Sequence, residues 1–151
     1  MHILIGNTVS NNQPHEHISF NLIVANTNGL TVKGRWEQIL SRCNDFTALV
    51  ETHCTEHMQK SLPFVAKDFH ILWGAPIKQG ARTGVAALVK KGCCWNTKIV
   101  SLTNSPCEKY FNIGRLLLVQ LFYGKGNRST LIYIVYGQAG SRWEQSKKDE
   151  L

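Results

Sequence analysis

A carboxylate that closes an apolar run is the first place in this chain to look for chemistry. Glu51 follows Ala48-Leu49-Val50 and precedes Thr52-His53. An apolar stretch bounded by polar and turn residues reads as a buried strand. Its terminal carboxylate then stands at the rim of a sheet, where a hard cation such as Mg2+ finds oxygen ligands. A solvated glutamate at a strand end is the plainer alternative. Upstream, Ala25-Asn26-Thr27-Asn28-Gly29-Leu30 forms a second polar strand end.

Two further sets could do chemistry. Arg115, Lys125, Arg128 and the pair Lys90-Lys91 could touch a nucleic-acid backbone, contacts that confer salt-dependent, sequence-independent affinity. Taken singly, each is equally an ordinary solvated loop charge. His53-Cys54-Thr55-Glu56-His57 fits H-x-x-E-H, the inverted zinc-peptidase pattern. That chemistry needs both histidines on one helical face and a third ligand from a distant helix. His53 stands instead at a strand exit, and Glu108, Glu144 and Glu150 lie in no matching helical context, so incidental loop histidines are the preferred reading. Trp36 and Trp73 are read as core residues, and Ser, Cys and His show no triad-like arrangement.

The elements that must position these residues follow from periodicity. Residues 1–17 are polar and rich in Asn and His, which reads as a loose N-terminal arm. Ser19–Asn26 reads as a strand, Thr31–Cys43 as a helix with Trp36 and Leu40 four apart, and Asp45–Val50 as the next strand. Strand, helix, strand at this spacing is a parallel crossover unit. Thr55–Lys67 reads as a short helix interrupted at Pro63, followed by strands Phe69–Trp73 and Gly84–Lys90. Arg115–Tyr123 and Thr130–Tyr136, joined by Gly124-Lys125-Gly126-Asn127-Arg128, predict an antiparallel hairpin. Trp143–Leu151 begins a charged helix. The helices fall in the first half, on one face of a mixed sheet. Both faces of Leu116–Leu121 are apolar, so an uncovered apolar face, a missing layer and self-association are expected.

A chain of 151 residues, 43% hydrophobic and 18% charged, fits one globular domain, here residues 18–151. The net charge of +7 is uneven: residues 1–60 hold four Lys/Arg against five Asp/Glu, and residues 61–151 hold thirteen against five. The second half therefore carries the basic field, which suits a polyanion. Five cysteines, none in a C-x-x-C pair, argue against a disulfide framework or zinc ribbon and for reduced thiols in a cytoplasmic or nuclear setting. No run approaches the length of a membrane span. The terminal Lys148-Asp149-Glu150-Leu151 spells a retrieval address, but Met1–Gly6 does not read as a signal peptide, so the tail is taken as coincidence.

Taken in order, Asn26-Thr27-Asn28-Gly29-Leu30, Leu49-Val50-Glu51-Thr52-His53, Thr83-Gly84-Val85-Ala86-Ala87-Leu88-Val89, Gly114-Arg115 and Val135-Tyr136 resemble the motif series of endonuclease/exonuclease/phosphatase domains. Exonuclease III, the apurinic endonucleases and the endonucleases of non-LTR retrotransposons are such domains. The resemblance covers Ile18 to Gly140. It implies half of a four-layer α/β sandwich, with a mixed sheet and helices on one face, and phosphodiester cleavage with Mg2+ or Mn2+. By resemblance Glu51 is the metal-binding glutamate, and Asn26 is the first-strand asparagine that orders the metal and phosphate site. Asn28 falls at a metal position where many members carry Asp, and Tyr136 is the tyrosine that reaches the scissile phosphate. Gln138 and Ala139 occupy the stretch where an asparagine usually follows that tyrosine. The family's Asp-x-Asn segment and terminal Asp-His pair have no counterpart: the aspartates are Asp45, Asp68 and Asp149, and no histidine follows His70. The expectation is the N-terminal half of a Mg2+-dependent nuclease, inactive alone or completed by a missing C-terminal half. The alternative is a non-catalytic nucleic-acid-binding module derived from one.

Overall fold

The computed structural model describes residues 2–8 (backbone), 20–62, 67–93, 95–123 and 128–137. Pro63, Lys125, Gln138, Ala139 and the expected helix at Trp143–Leu151 lie outside the described residues. The elements run β1 (His2–Thr8), β2 (Leu22–Asn26), α1 (Arg35–Leu40), β3 (Phe46–Val50), α2 (Glu56–Ser61), β4 (Phe69–Trp73), β5 (Val85–Lys90), β6 (Trp95–Ile99), α3 (Glu108–Asn112), β7 (Leu116–Tyr123) and β8 (Arg128–Val135). None of the described helices is long and apolar enough to cross a membrane.

The strands form two four-stranded sheets, not the one mixed sheet expected. The first has the order β2-β3-β5-β4 and is mixed: β2 runs parallel to β3 through the α1 crossover, while β5 is antiparallel to both β3 and β4. The second has the order β1-β8-β7-β6 and is antiparallel throughout. The late hairpin exists, with Leu116 opposite Val135 and Tyr123 opposite Arg128, but it belongs to this second sheet. The loose arm also needs correcting in part. His2–Thr8 pairs antiparallel with β8, His2 opposite Val135 and Thr8 opposite Ser129. This strand carries the apolar run Ile3-Leu4-Ile5, and the polar residues that give the arm its loose reading lie mainly in 10–17.

The two sheets lie face to face, and this is where the apolar faces go. Phe46, Ala48 and Val50 of β3 and Val85, Ala87 and Val89 of β5 meet Leu117, Val119 and Leu121 of β7 and Ile132 and Ile134 of β8 in one buried cluster. Strict alternation sends the other set of β3 and β5 side chains outward. There Leu49, Ala86 and Leu88 pack with Leu30, Trp36 and Cys54, and with Ile39, Leu40, Met58 and Leu62 from the helical side. Helices therefore do cover one face of the mixed sheet. The opposite face, expected to be bare, is closed by the chain's own second sheet, and the surface from which self-association was inferred is core. Leu116 and Leu118, on the far face of β7, are each only 5% exposed.

α1 is shorter than its periodicity predicts, because Gly34 at φ 77° sets the start and the preceding residues turn. β2 is an edge of the mixed sheet, with Val24 exposed.

Candidate active site

Chain direction gathers the site. β2 and β3 are parallel, so both end at the same rim, at Asn26 and Val50. β5 is antiparallel to β3, so its beginning at Val85 reaches that rim too. In the second sheet β7 begins and β8 ends there, and the Tyr136 N–H continues the ladder to the Arg115 carbonyl at 2.9 Å. A single backbone bond, Gly84 N–H to the Gly114 carbonyl at 2.9 Å, ties the two sheet ends together.

The loops at this rim are locked to one another through their backbones. Gly29 and Leu30 donate to the carbonyls of Glu51 and Thr52 at 2.7 and 3.0 Å, and Thr52 and His53 donate to those of Gly84 and Thr83 at 3.1 and 3.0 Å. The Thr27 hydroxyl reaches the Val50 and Glu51 carbonyls, and Arg35 Nη1 donates to the carbonyls of Thr27 and Asn28. A side chain at Gly84, where φ is 109°, would collide with Thr52 Oγ1. Only glycine lets the β5 entry approach the Glu51 loop this closely.

Within that frame Asn26 Nδ2 donates to Glu51 Oε1 at 2.9 Å, and Asn26 Oδ1 accepts the Asn28 N–H at 3.0 Å. The amide is thus held at both ends and orients the carboxylate. The Tyr136 hydroxyl adjoins Glu51; burial first, and then that carboxylate, raise its pKa above the usual phenol value, with Arg115 opposing. Tyr136 is therefore a neutral donor at physiological pH. The Arg115 Nε is buried and has no hydrogen-bond partner.

Backbone strain concentrates here. Among the described residues four non-glycine positions have positive φ, and three belong to this site: Asn28 at 43°, Glu51 at 55° and His53 at 53°. Left-handed geometry in a glutamate is unfavourable by about 1–2 kcal/mol, and such outliers cluster at functional sites.

The structure therefore brings together Asn26, Asn28, Glu51, Arg115 and Tyr136. It does not bring Lys90, Lys91 or Arg128 to them. Lys90 ends β5 and Arg128 begins β8, about 17 and 24 Å along their strands from the rim at about 3.4 Å per residue. Lys91 Nζ donates to the Lys67 carbonyl. The H-x-x-E-H set does not share a helical face: His53 precedes α2, Glu56 pairs with Lys60 at 2.7 Å, and Glu56 and His57 are exposed. Trp36 is buried at 4% exposure, as expected of core.

His53 is the residue that the sequence reading set aside and the structure returns. Its Nε2 lies 4.0 Å from Glu51 Oε2 and is buried without a hydrogen-bond partner. The signal was the spacing, two residues beyond Glu51. Spacing alone does not show that both residues are left-handed.

No family model and no curated protein matches the sequence. Among solved structures, the AP endonuclease LMAP from Leishmania major is similar, with a TM-score of 0.54 at 16% identity over 83% of this chain and 42% of that one. This chain therefore spans less than half the length of that endonuclease. The likeness lies in fold, and it makes this chain a two-sheet α/β assembly built like part of an AP endonuclease.

Proposed function

We propose that this chain is the N-terminal part of a divalent-metal-dependent phosphodiesterase of the endonuclease/exonuclease/phosphatase type, acting on nucleic acid. The observation that carries the reading is Glu51, held in a left-handed conformation at the meeting point of two sheet ends, hydrogen-bonded by Asn26 and faced by Tyr136. A solvated strand-end glutamate has no need of that strain or of those two neighbours. The kinship in fold with an AP endonuclease supports the same reading.

A divalent cation fits the donors present. Glu51 Oε2 and the orphaned Nε2 of His53 face one another at the site, and exposed Asn28 is tied to it through its backbone N–H, which donates to Asn26 Oδ1. When bound, such a cation offsets charge developing on phosphoryl oxygens. The chain's own residues would do the rest of what this half can do. Asn26 holds the carboxylate, Tyr136 offers a neutral O–H donor to a phosphoryl oxygen, and Arg115 contributes positive charge beside it. Among the described residues no general base is matched on this rim, so the chain by itself should cleave poorly.

Plasmid nicking with Mg2+ and with Mn2+, for the wild type and Glu51→Gln, tests this. Little or no nicking, together with salt-sensitive DNA binding, supports the reading of an incomplete site. Metal-dependent nicking lost in Glu51→Gln would confirm the phosphodiesterase and refute its incompleteness. Nicking indifferent to Glu51, or no nucleic-acid binding at low salt, would overturn the proposal.

A further inference from the structure

The donors facing one another at the rim are one carboxylate and one imidazole, an unusual pair for a hard-cation site. His53 Nε2 is buried, lacks any hydrogen-bond partner and points to Glu51 Oε2 at 4.0 Å. That separation is too long for a hydrogen bond. It is close to twice a metal–ligand bond of about 2.0–2.2 Å. An unpaired buried ring nitrogen costs about 1–3 kcal/mol, so its persistence calls for a partner.

The ring is placed rather than incidental. The His53 backbone sits at φ 53° and its N–H is fixed to the Thr83 carbonyl at 3.0 Å. The imidazole packs so close to Gly29 that a Cβ there would lie 3.1 Å from Nδ1. Gly29 is itself tied to the Glu51 carbonyl at 2.7 Å. The same short loop thus sets both donors, and the glycine leaves room for the ring.

We infer that His53 is a direct cation ligand through Nε2, and that it makes this site select a first-row transition cation of the Mn2+ or Zn2+ class over Mg2+. The inference rests on the reading of Glu51 as a metal ligand and extends it to the identity of the metal. The chemistry of the donor set carries it. Mg2+ takes oxygen ligands and is usually held by one or two carboxylates. Here Asn28 supplies no charge and Asn26 spends its amide on Glu51 Oε1. Among the described residues no third His, Cys, Asp or Glu joins the pair. One carboxylate with imidazole is a weak Mg2+ site, whereas imidazole suits Zn2+ and its first-row neighbours. Water and phosphate oxygens fill the remaining positions.

Titration calorimetry with Mg2+, Mn2+ and Zn2+ on the whole chain, and pulsed EPR of bound Mn2+, test this for the wild type, His53→Asn and Glu51→Gln. Asparagine tolerates the left-handed backbone, and His53→Gln serves as a second variant, with circular dichroism confirming that each folds. The expected result is Mn2+ and Zn2+ binding roughly tenfold or more tighter than Mg2+, with a nitrogen coupling in the Mn2+ spectrum. Both the preference and the coupling should vanish in the His53 variants, while Glu51→Gln weakens every cation. If Glu51→Gln weakens binding but the His53 variants keep the wild-type preference, or no nitrogen coupling is seen, the role of His53 is refuted and the Glu51 reading survives. Binding indifferent to Glu51→Gln, or no binding at all, overturns both.

Discussion

Asn26 Nδ2 donates to Glu51 Oε1 at 2.9 Å, a side-chain bond between residues 25 apart in sequence at the ends of two adjacent parallel strands. Its direction matters, because the amide N–H faces the carboxylate oxygen and fixes its orientation. Asn26→Asp would replace that donor with a second negative charge, costing on the order of 1–4 kcal/mol. The thermal midpoint without divalent cation should fall, and adding Mn2+ should raise it by more than it raises the wild type. A variant as stable as wild type and indifferent to Mn2+ would separate the pair from cation binding.

Gly84→Ala should be among the most damaging small substitutions. It combines a left-handed backbone at 109° with a collision against Thr52 Oγ1, for a loss of roughly 2–5 kcal/mol in urea unfolding. Gly80→Ala is the control. Its φ is 84° and its surroundings are open, so only the backbone term of about 1 kcal/mol applies.

Nucleic-acid affinity should depend on the rim rather than on the far end of the sheets. Lys90→Gln with Lys91→Gln should leave DNA affinity at low salt within about twofold, whereas Arg115→Gln should lower it and reduce the salt slope by about 0.9. Fluorescence anisotropy at several salt concentrations reads both. A large loss in the double variant would place the nucleic acid at the opposite end from Glu51.

One buried thiol, Cys54, and one half-buried thiol, Cys43, set an alkaline limit on stability. Burial raises the pKa of Cys54 from 9.0 to about 11, against a lowering from the Thr52 side chain, and burial also raises that of Cys43, against the Thr47 side chain. A folded-state pKa above the unfolded value contributes stability that is present below pH 9 and is lost as pH rises toward 11. Urea midpoints measured from pH 8 to 11 should fall over that window, and less steeply in Cys54→Ala. With a thiol reagent at pH 8, exposed Cys107 should react well before Cys54.

Much of the frame was legible in the sequence, because burial imposes a period on the chain. The β2–β3 crossover, β5 and the β7–β8 hairpin all follow from apolar runs punctuated by glycine and polar residues. Which sheet each strand joins was not legible. Leu117, Val119 and Leu121 announce a buried face but not that β3 and β5 are what bury it, so one sheet with a bare face was expected where two sheets meet. β1 was hidden because its short apolar run, Ile3-Leu4-Ile5, leads into the polar stretch 10–17, and β6 by an alternation of only five residues, Trp95–Ile99. At the site, Glu51 stood out as a carboxylate after an apolar run. The place of His53 depends on two left-handed residues that are not glycine, and no residue type announces that.

β2 is paired on one side only. The Asn21 carbonyl accepts from Phe46 and the Thr27 N–H donates to Val50, so odd-numbered residues of this strand face β3. Leu22, Val24 and Asn26 then turn their backbone groups to a side where, among the described strands, nothing pairs with them. Their amide protons should exchange with solvent far sooner than those of β3, which is bonded on both sides. Glu51 extends from the slow-exchanging strand and Asn26 from the fast one. The carboxylate thus has a fixed wall behind it and an adjustable wall beside it, and a further strand laid along β2 would tighten the second without touching the first.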